Sequence, residues 1–159
     1  MLESNFGNTS MSFHTHCDTL TYVTTEAPEF VDITGDVSAL VGNANIRNGV
    51  VVVFSHHTTA AIKINESEPE LMKDMARFLE QIAPVDGEYC HNDFDVRTVN
   101  MTEDECPNAH SHCQHLLLGT SESIPLINGR LALGRWQRVF LVELDRSKTR
   151  QVTVQILGA

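Results

Sequence analysis

The stretch NGVVVVFSHHTTAAIKINESEPELMKDMARFLEQIAP, Asn48 to Pro84, changes its periodicity half-way along. Val50 to Ser55 is a nearly unbroken β-branched run, the pattern of a strand covered on both faces, and Ala60 to Ile64 reads as a second short strand. From Glu68 the spacing becomes helical. Pro69 suits a first turn, and Glu68 and Glu70 suit its positive end. Leu71, Met75, Phe78, Leu79 and Ile82 fall on one face, the charged residues on the other, and Pro84 stops the helix.

Toward the N-terminus, Val37, Leu40, Val41 and Ala44 recur at three- and four-residue spacing between Asp36 and Ile46, giving a second helix that Asn48-Gly49 closes. Phe13 to Val23, rich in threonine, is expected as a half-exposed strand, and Glu29 to Thr34 as further sheet. Toward the C-terminus, residues 86–109 carry Asp86-Gly87, several acids and Pro107. They read as a long irregular connection of the kind that is more often functional than idle. Ser123 to Ile127 and Arg130 to Leu133 flank Asn128-Gly129, a hairpin signal. Val139 to Leu144 and Gln151 to Ile156 form a last pair of strands joined by a polar turn. Two main helices among seven to nine strands predict an α+β fold, a single domain over residues 13–159 built on a mainly antiparallel sheet or sandwich, with a polar tail over 1–12.

The bulk properties limit the function. With 159 residues and 42% hydrophobic content, one core forms without disulfides. No apolar run approaches the roughly 20 residues of a membrane span. Met1 to Ser12 lacks the basic start and apolar centre of a secretory signal, so a cytoplasmic location is expected. Cys17, Cys90, Cys106 and Cys113 form no C-x-x-C pair and read as buried thiols in a reducing compartment. A formal net charge of −10 repels phosphate backbones, which argues against nucleic acid as a partner.

The eight histidines are unevenly spread. His56 and His57 adjoin, His91 stands alone, and His110, His112 and His115 crowd six positions. On a strand His110 and His112 would point the same way; on a helix His112 and His115 would share a face. Imidazoles suit zinc and other divalent ions, and three ligands with an open position would describe a catalytic site. Glu66, Asp74, Asp93 and Asp95 are candidates to orient the rings. Ser55, Thr58, Thr59 and Asn65 place short polar groups around His57, suited equally to phosphate oxygens and to turns. Lys63, Arg135, Arg138 and Arg150 are scarce cations in an acidic chain, fit for an anionic substrate or for ion pairs.

Three segments together resemble the YjbQ-like (UPF0047) family: His57-Thr58-Thr59-Ala60 with Ile64-Asn65-Glu66; Asn108-Ala109-His110-Ser111-His112 with Leu117-Leu118-Gly119; and Gly129 to Gln137. The similarity runs from about Phe13 to Gly158. It implies an α+β homotrimer. It also implies a thiamine-phosphate-synthase-like transferase joining a hydroxymethylpyrimidine pyrophosphate to a thiazole phosphate. By motif position it singles out His57, His91 and His112, with Asn65, Glu66, Asn108, Trp136 and Gln137 around them. The expected roles are catalysis by His57, Glu66 and His112, and substrate contact through Thr58, Thr59, Asn65, Asn108, Arg135 and Gln137. A divalent metal, zinc or magnesium, would sit on His57, His91 and His112; no organic cofactor is expected, and the partner is a small phosphorylated substrate. Two departures from the family pattern stand out: Arg135 replaces a small hydroxyl residue, and Asp145-Arg146-Ser147-Lys148 replaces an acidic-Gly-Pro-Arg turn. The rival readings are a metal-dependent hydrolase of phosphates or esters, and a non-catalytic trimer that binds a small molecule or metal.

Overall fold

The computed structural model describes residues 12–159, so the predicted tail lies outside the described residues except for Ser12. Eight strands form two antiparallel sheets. The larger has the order β1-β8-β3-β5-β6: β1 (His14–Val23), β8 (Thr149–Gly158), β3 (Gly49–Ser55), β5 (Ser121–Ile127) and β6 (Arg130–Leu131). In the smaller, β7 (Gln137–Glu143) lies between β2 (Glu29–Asp32) and β4 (Ala60–Glu66). The fold is the expected α+β domain, with three helices instead of two: α1 (Thr34–Asn43), α2 (Pro69–Ile82) and α3 (Ala109–Leu118).

The sheets stack as a sandwich. Val51 and Val53 of β3, Ile124 and Leu126 of β5, and Val152, Val154 and Ile156 of β8 meet Ile62, Val139 and Leu141 of the smaller sheet, with Val37 and Val41 of α1 in the same cluster. Each such side chain contributes about 1.5–3 kcal/mol by leaving water. A second cluster on the other side of the smaller sheet joins Ala61, Phe140, Val142 and Leu144 to Leu79 of α2. β7 is therefore buried on both faces, from Val139 to Glu143. β3 is not: Val51, Val53 and Ser55 point inward while Phe54 stays 40% exposed. The β-branched run thus marks a half-buried strand, because among the described residues no helix covers the outer face of the larger sheet.

Other boundaries moved for local reasons. α1 ends at Asn43, where Asn45 adopts a left-handed φ of 54°, ahead of Asn48-Gly49. Gly49 instead permits a close crossing, since a Cβ there would lie 1.9 Å from the Leu157 carbonyl oxygen. β7 and β8 are consecutive in sequence yet belong to different sheets. The polar turn between them carries the chain across the sandwich. On α2, Glu68 accepts hydrogen bonds from the Glu70 and Leu71 amides, as its position at the helix start predicts. Of its apolar face only Leu79 is buried; Phe78 and Ile82 are 59% and 46% exposed. The cysteines are free thiols, but Cys17, Cys90 and Cys113 are exposed and Cys106 half-buried, so the expected burial does not hold.

Candidate functional site

α3 escapes an apolar-periodicity reading because its buried face is polar. Ala109, His110, Ser111 and Gln114 are buried there. Ser111 Oγ donates to the Leu144 carbonyl at 2.6 Å, Gln114 Nε2 donates to the carbonyls of Leu79 and Ala83, and His110 Nε2 meets the Ser111 hydroxyl at 3.0 Å while its Nδ1 is buried without a partner. The helix is bolted to the end of β7 and to the C-terminus of α2 by hydrogen bonds as well as by packing.

Its N-terminus is fixed by a residue the sequence did not flag. Asn92, closing a 3-10 turn over Cys90–Asn92, accepts hydrogen bonds at its Oδ1 from the amides of Asn108 and Ala109, both 3.1 Å. This clamp brings the turn against the helix. His91 and His112 consequently meet edge to face, their ring centroids 4.9 Å apart and their planes at 69°. The Nε2 of His91 and the Oδ1 of Asn108 are both buried without a hydrogen-bond partner. His115, one helical turn on from His112 and thus on the same face, also buries its Nε2 unpartnered. Burial, and then the neighbouring His91, lower the pKa of His112, while the Asp145 carboxylate works the other way. Arg97 borders the pair and is held by Glu105 and by the Asn100 carbonyl. Burial would raise Asp145, but Lys148 and then Asn108 outweigh it, and the carboxyl is held below its ordinary value.

His57 occupies a different setting. The backbone amide of Gln151 donates to its Nε2 at 2.8 Å. Burial and the Arg150 guanidinium lower its pKa, against an opposing pull from Glu143. Beneath it lies a buried ion pair: Arg150 Nε donates to Glu143 Oε2 at 2.6 Å, and the same carboxylate receives the Thr24 hydroxyl and the amides of Leu144 and Asp145. Thr59 is buried with its hydroxyl accepting from Arg150 at 3.0 Å, whereas Thr58 is exposed. Among the described residues no group of three or more His, Cys, Asp or Glu side chains is placed to hold a metal ion. His91 and His112 come together within one chain; His57 does not join them.

The remaining candidates lie at the other end of β7. Asn65 pairs with Arg138 and Glu66 with Gln137 in the β4–β7 register, while Ala60, next to Thr59, pairs with Glu143. Seven residues of strand separate these ends by roughly 20 Å. Within one chain, therefore, Asn65 does not surround His57 and Glu66 does not reach the imidazoles. Asp74 pairs with Arg77, and Asp93 accepts from the Asp95 amide, so neither does what the sequence suggested. Asp145 is the carboxylate whose charge reaches His112. Asn65, Glu66, Arg135, Trp136 and Gln137 instead line a cavity of about 340 Å³. Gln137 Oε1 accepts from the Gly134 amide at 2.7 Å, and Arg135 stacks over the Trp136 ring, 4.4 Å from its centroid. Glu143, Asn92 and Asp145 are the site residues sequence reasoning passed over; only folding gives them neighbours.

Fold and site together define a small two-sheet α+β protein with a paired-imidazole site at one end of its inner strand. The chain belongs to the YjbQ family, described as UPF0047 protein YjbQ-like, whose model matches residues 18–159. A UPF0047 protein of Methanothermobacter thermautotrophicus is 42% identical over 135 residues, covering 85% of this chain and 87% of its own length. Among solved structures, a YbjQ-like protein of unknown function from Sulfolobus solfataricus superposes with a TM-score of 0.84 at 34% identity, over 93% of this chain and 100% of its own. A YjbQ/UPF0047 protein of Clostridium acetobutylicum gives 0.77 at 33% identity, over 87% and 98%. No helix of the described residues is long and apolar enough to cross a membrane.

Proposed function

We propose that the chain is a transferase acting on small phosphorylated substrates at the His91–His112 pair, with the joining of a hydroxymethylpyrimidine pyrophosphate to a thiazole phosphate as its reaction. The observation that carries the site is the buried, unpartnered Nε2 of His91 beside His112 and the equally unpartnered Oδ1 of Asn108. A polar atom left bare in a folded interior costs about 1–3 kcal/mol, and such atoms in native proteins commonly await a ligand. The reaction itself is drawn from the family resemblance. In it a C–N bond forms at the pyrimidine methylene as the C–O bond to pyrophosphate breaks, and the electron pair leaves with pyrophosphate. Imidazole N–H groups and the Arg97 guanidinium would stabilise that departing charge. Two imidazoles do not make up a three-ligand zinc site. A zinc or magnesium ion on His91 and His112 would need further donors.

The distance between the two ends of β7 bears on assembly. Asn65, Glu66, Arg135 and Gln137 can serve the same substrate as His112 only when contributed by a second copy. A homotrimer would supply one, and the exposed Phe78, Leu116, Leu117 and Trp136 are apolar surface available to it. Thiamine phosphate formation by purified protein, assayed across several divalent metals, tests the reading. Loss by about 10²- to 10⁴-fold in His112→Ala and His91→Ala supports it. Wild-type turnover no higher than that of the His112→Ala control sinks it.

A further inference from the structure

The chain holds 11 lysines and arginines against 21 acids, yet three of its arginines converge on one cavity. Arg130 of β6, Arg135, and Arg138 of β7 line a cavity of about 510 Å³ whose far wall is Ser38 of α1. Arg138 has one carboxylate near it, Asp32, at a loose 3.7 Å between half-exposed side chains. Among the described residues Arg130 and Arg135 form no ion pair, and Arg135 is steadied over Trp136. The other neighbouring carboxylate is Glu66, which lines the adjoining cavity beside Arg135. Like charges gathered in an acidic protein repel one another. An anion bound between the guanidinium groups would relieve that repulsion.

We infer that Arg130, Arg135 and Arg138 form a binding site for a phosphate-bearing small molecule, separate within the chain from the His91–His112 pair. Guanidinium groups present paired N–H donors that match phosphate oxygens two at a time, which a lysine cannot reproduce. The position of the hairpin explains the convergence. Asn128 and Gly129, with φ of 52° and 75°, turn the chain so that β6 returns beside β5. The following residues, Ala132 to Trp136, then lead straight into β7 past α1. Arg130 and Arg138 thereby face one space from two different sheets. The inference stands on these residues alone and does not require the imidazole chemistry proposed above.

Isothermal titration of the full chain with inorganic pyrophosphate and, separately, inorganic phosphate, in metal-free buffer, is the test. The expected result is saturable pyrophosphate binding that depends on the three arginines and weakens with added salt. Arg130→Gln/Arg138→Gln should lose about tenfold or more in affinity, since each removes a charge-assisted hydrogen-bonding group. Arg130→Lys should bind more weakly than wild type despite its charge, and Arg77→Gln, an exposed arginine of α2 outside the cavity that pairs with Asp74, should bind as wild type does. Arg77, Arg130 and Arg138 are all exposed, and a thermal melt of each variant confirms folding. No saturable binding by the wild type overturns the inference. So does wild-type affinity in the arginine variants, or its loss in Arg77→Gln, because the anion would then sit elsewhere.

Discussion

The Gln151 amide donates to Nε2 of His57 at 2.8 Å, which assigns the proton of the neutral ring to Nδ1. Gln151 belongs to β8 and His57 to the turn after β3, so the tautomer is set by sheet pairing. Nitrogen-15 NMR of the ring is expected to show Nε2 unprotonated near neutral pH. A protonated Nε2 would mean that the hydrogen bond is absent in solution.

Four histidines, His57, His110, His112 and His115, have lowered pKa values, with burial the largest cause in each. The unfolded chain therefore binds their protons more readily than the folded one. Their contribution to stability is complete above the unfolded value of 6.5 and is lost as pH falls below it toward the folded values. Urea unfolding should show a falling free energy between about pH 7 and pH 5, before carboxylates titrate near pH 4. A flat profile across that window would contradict the burial of these rings.

Glu143 and Arg150 form an ion pair with side chains 0% and 4% exposed. Breaking it from one side strands a charge in the core. Glu143→Ala is expected to cost about 3–5 kcal/mol in urea unfolding, and a paired apolar replacement of both residues much less. His57 should lose its order in the single variant, which the NMR spectrum above would report.

Asn92→Ala removes the acceptor shared by the Asn108 and Ala109 amides. Two N–H groups at the start of α3 then lack a partner, at a cost of about 1–3 kcal/mol. Faster hydrogen exchange confined to α3 and the turn before it would distinguish this from general destabilisation.

Gly49→Ala forces a Cβ into the Leu157 carbonyl oxygen, and because both sides are backbone neither can swing away. A loss of about 1–3 kcal/mol is expected, from the strain of overpacking. Gly42→Ala, with nothing within 4 Å of the added carbon, is the matched control on a helix and should not destabilise.

Where local chemistry decides local structure, the elements could be read in advance. Pro69 and Glu68 start α2, Asn128-Gly129 makes the β5–β6 turn, and the β-branched run of Val50 to Val53 is strand β3. α3 could not be read this way, because Ser111 and Gln114 bury polar atoms whose partners lie on Leu144, Leu79 and Ala83, far off in the chain. The same limit governed the site. Motif position in the family resemblance singled out His57, His91 and His112, but only the Asn92 clamp brings His91 and His112 into contact. His57, Asn65 and Glu66 follow one another closely in sequence and nevertheless divide between two ends of the sandwich.

What the sequence by itself determined is the α+β class, most strand and helix identities and the residue types available for chemistry, since periodicity and turn residues act over a few positions. The tertiary structure alone decided which sheet each strand joins, which imidazoles meet and which arginines share a cavity. Those outcomes depend on contacts between residues distant in the chain, and a strand carries no local mark of the neighbour it will pair with.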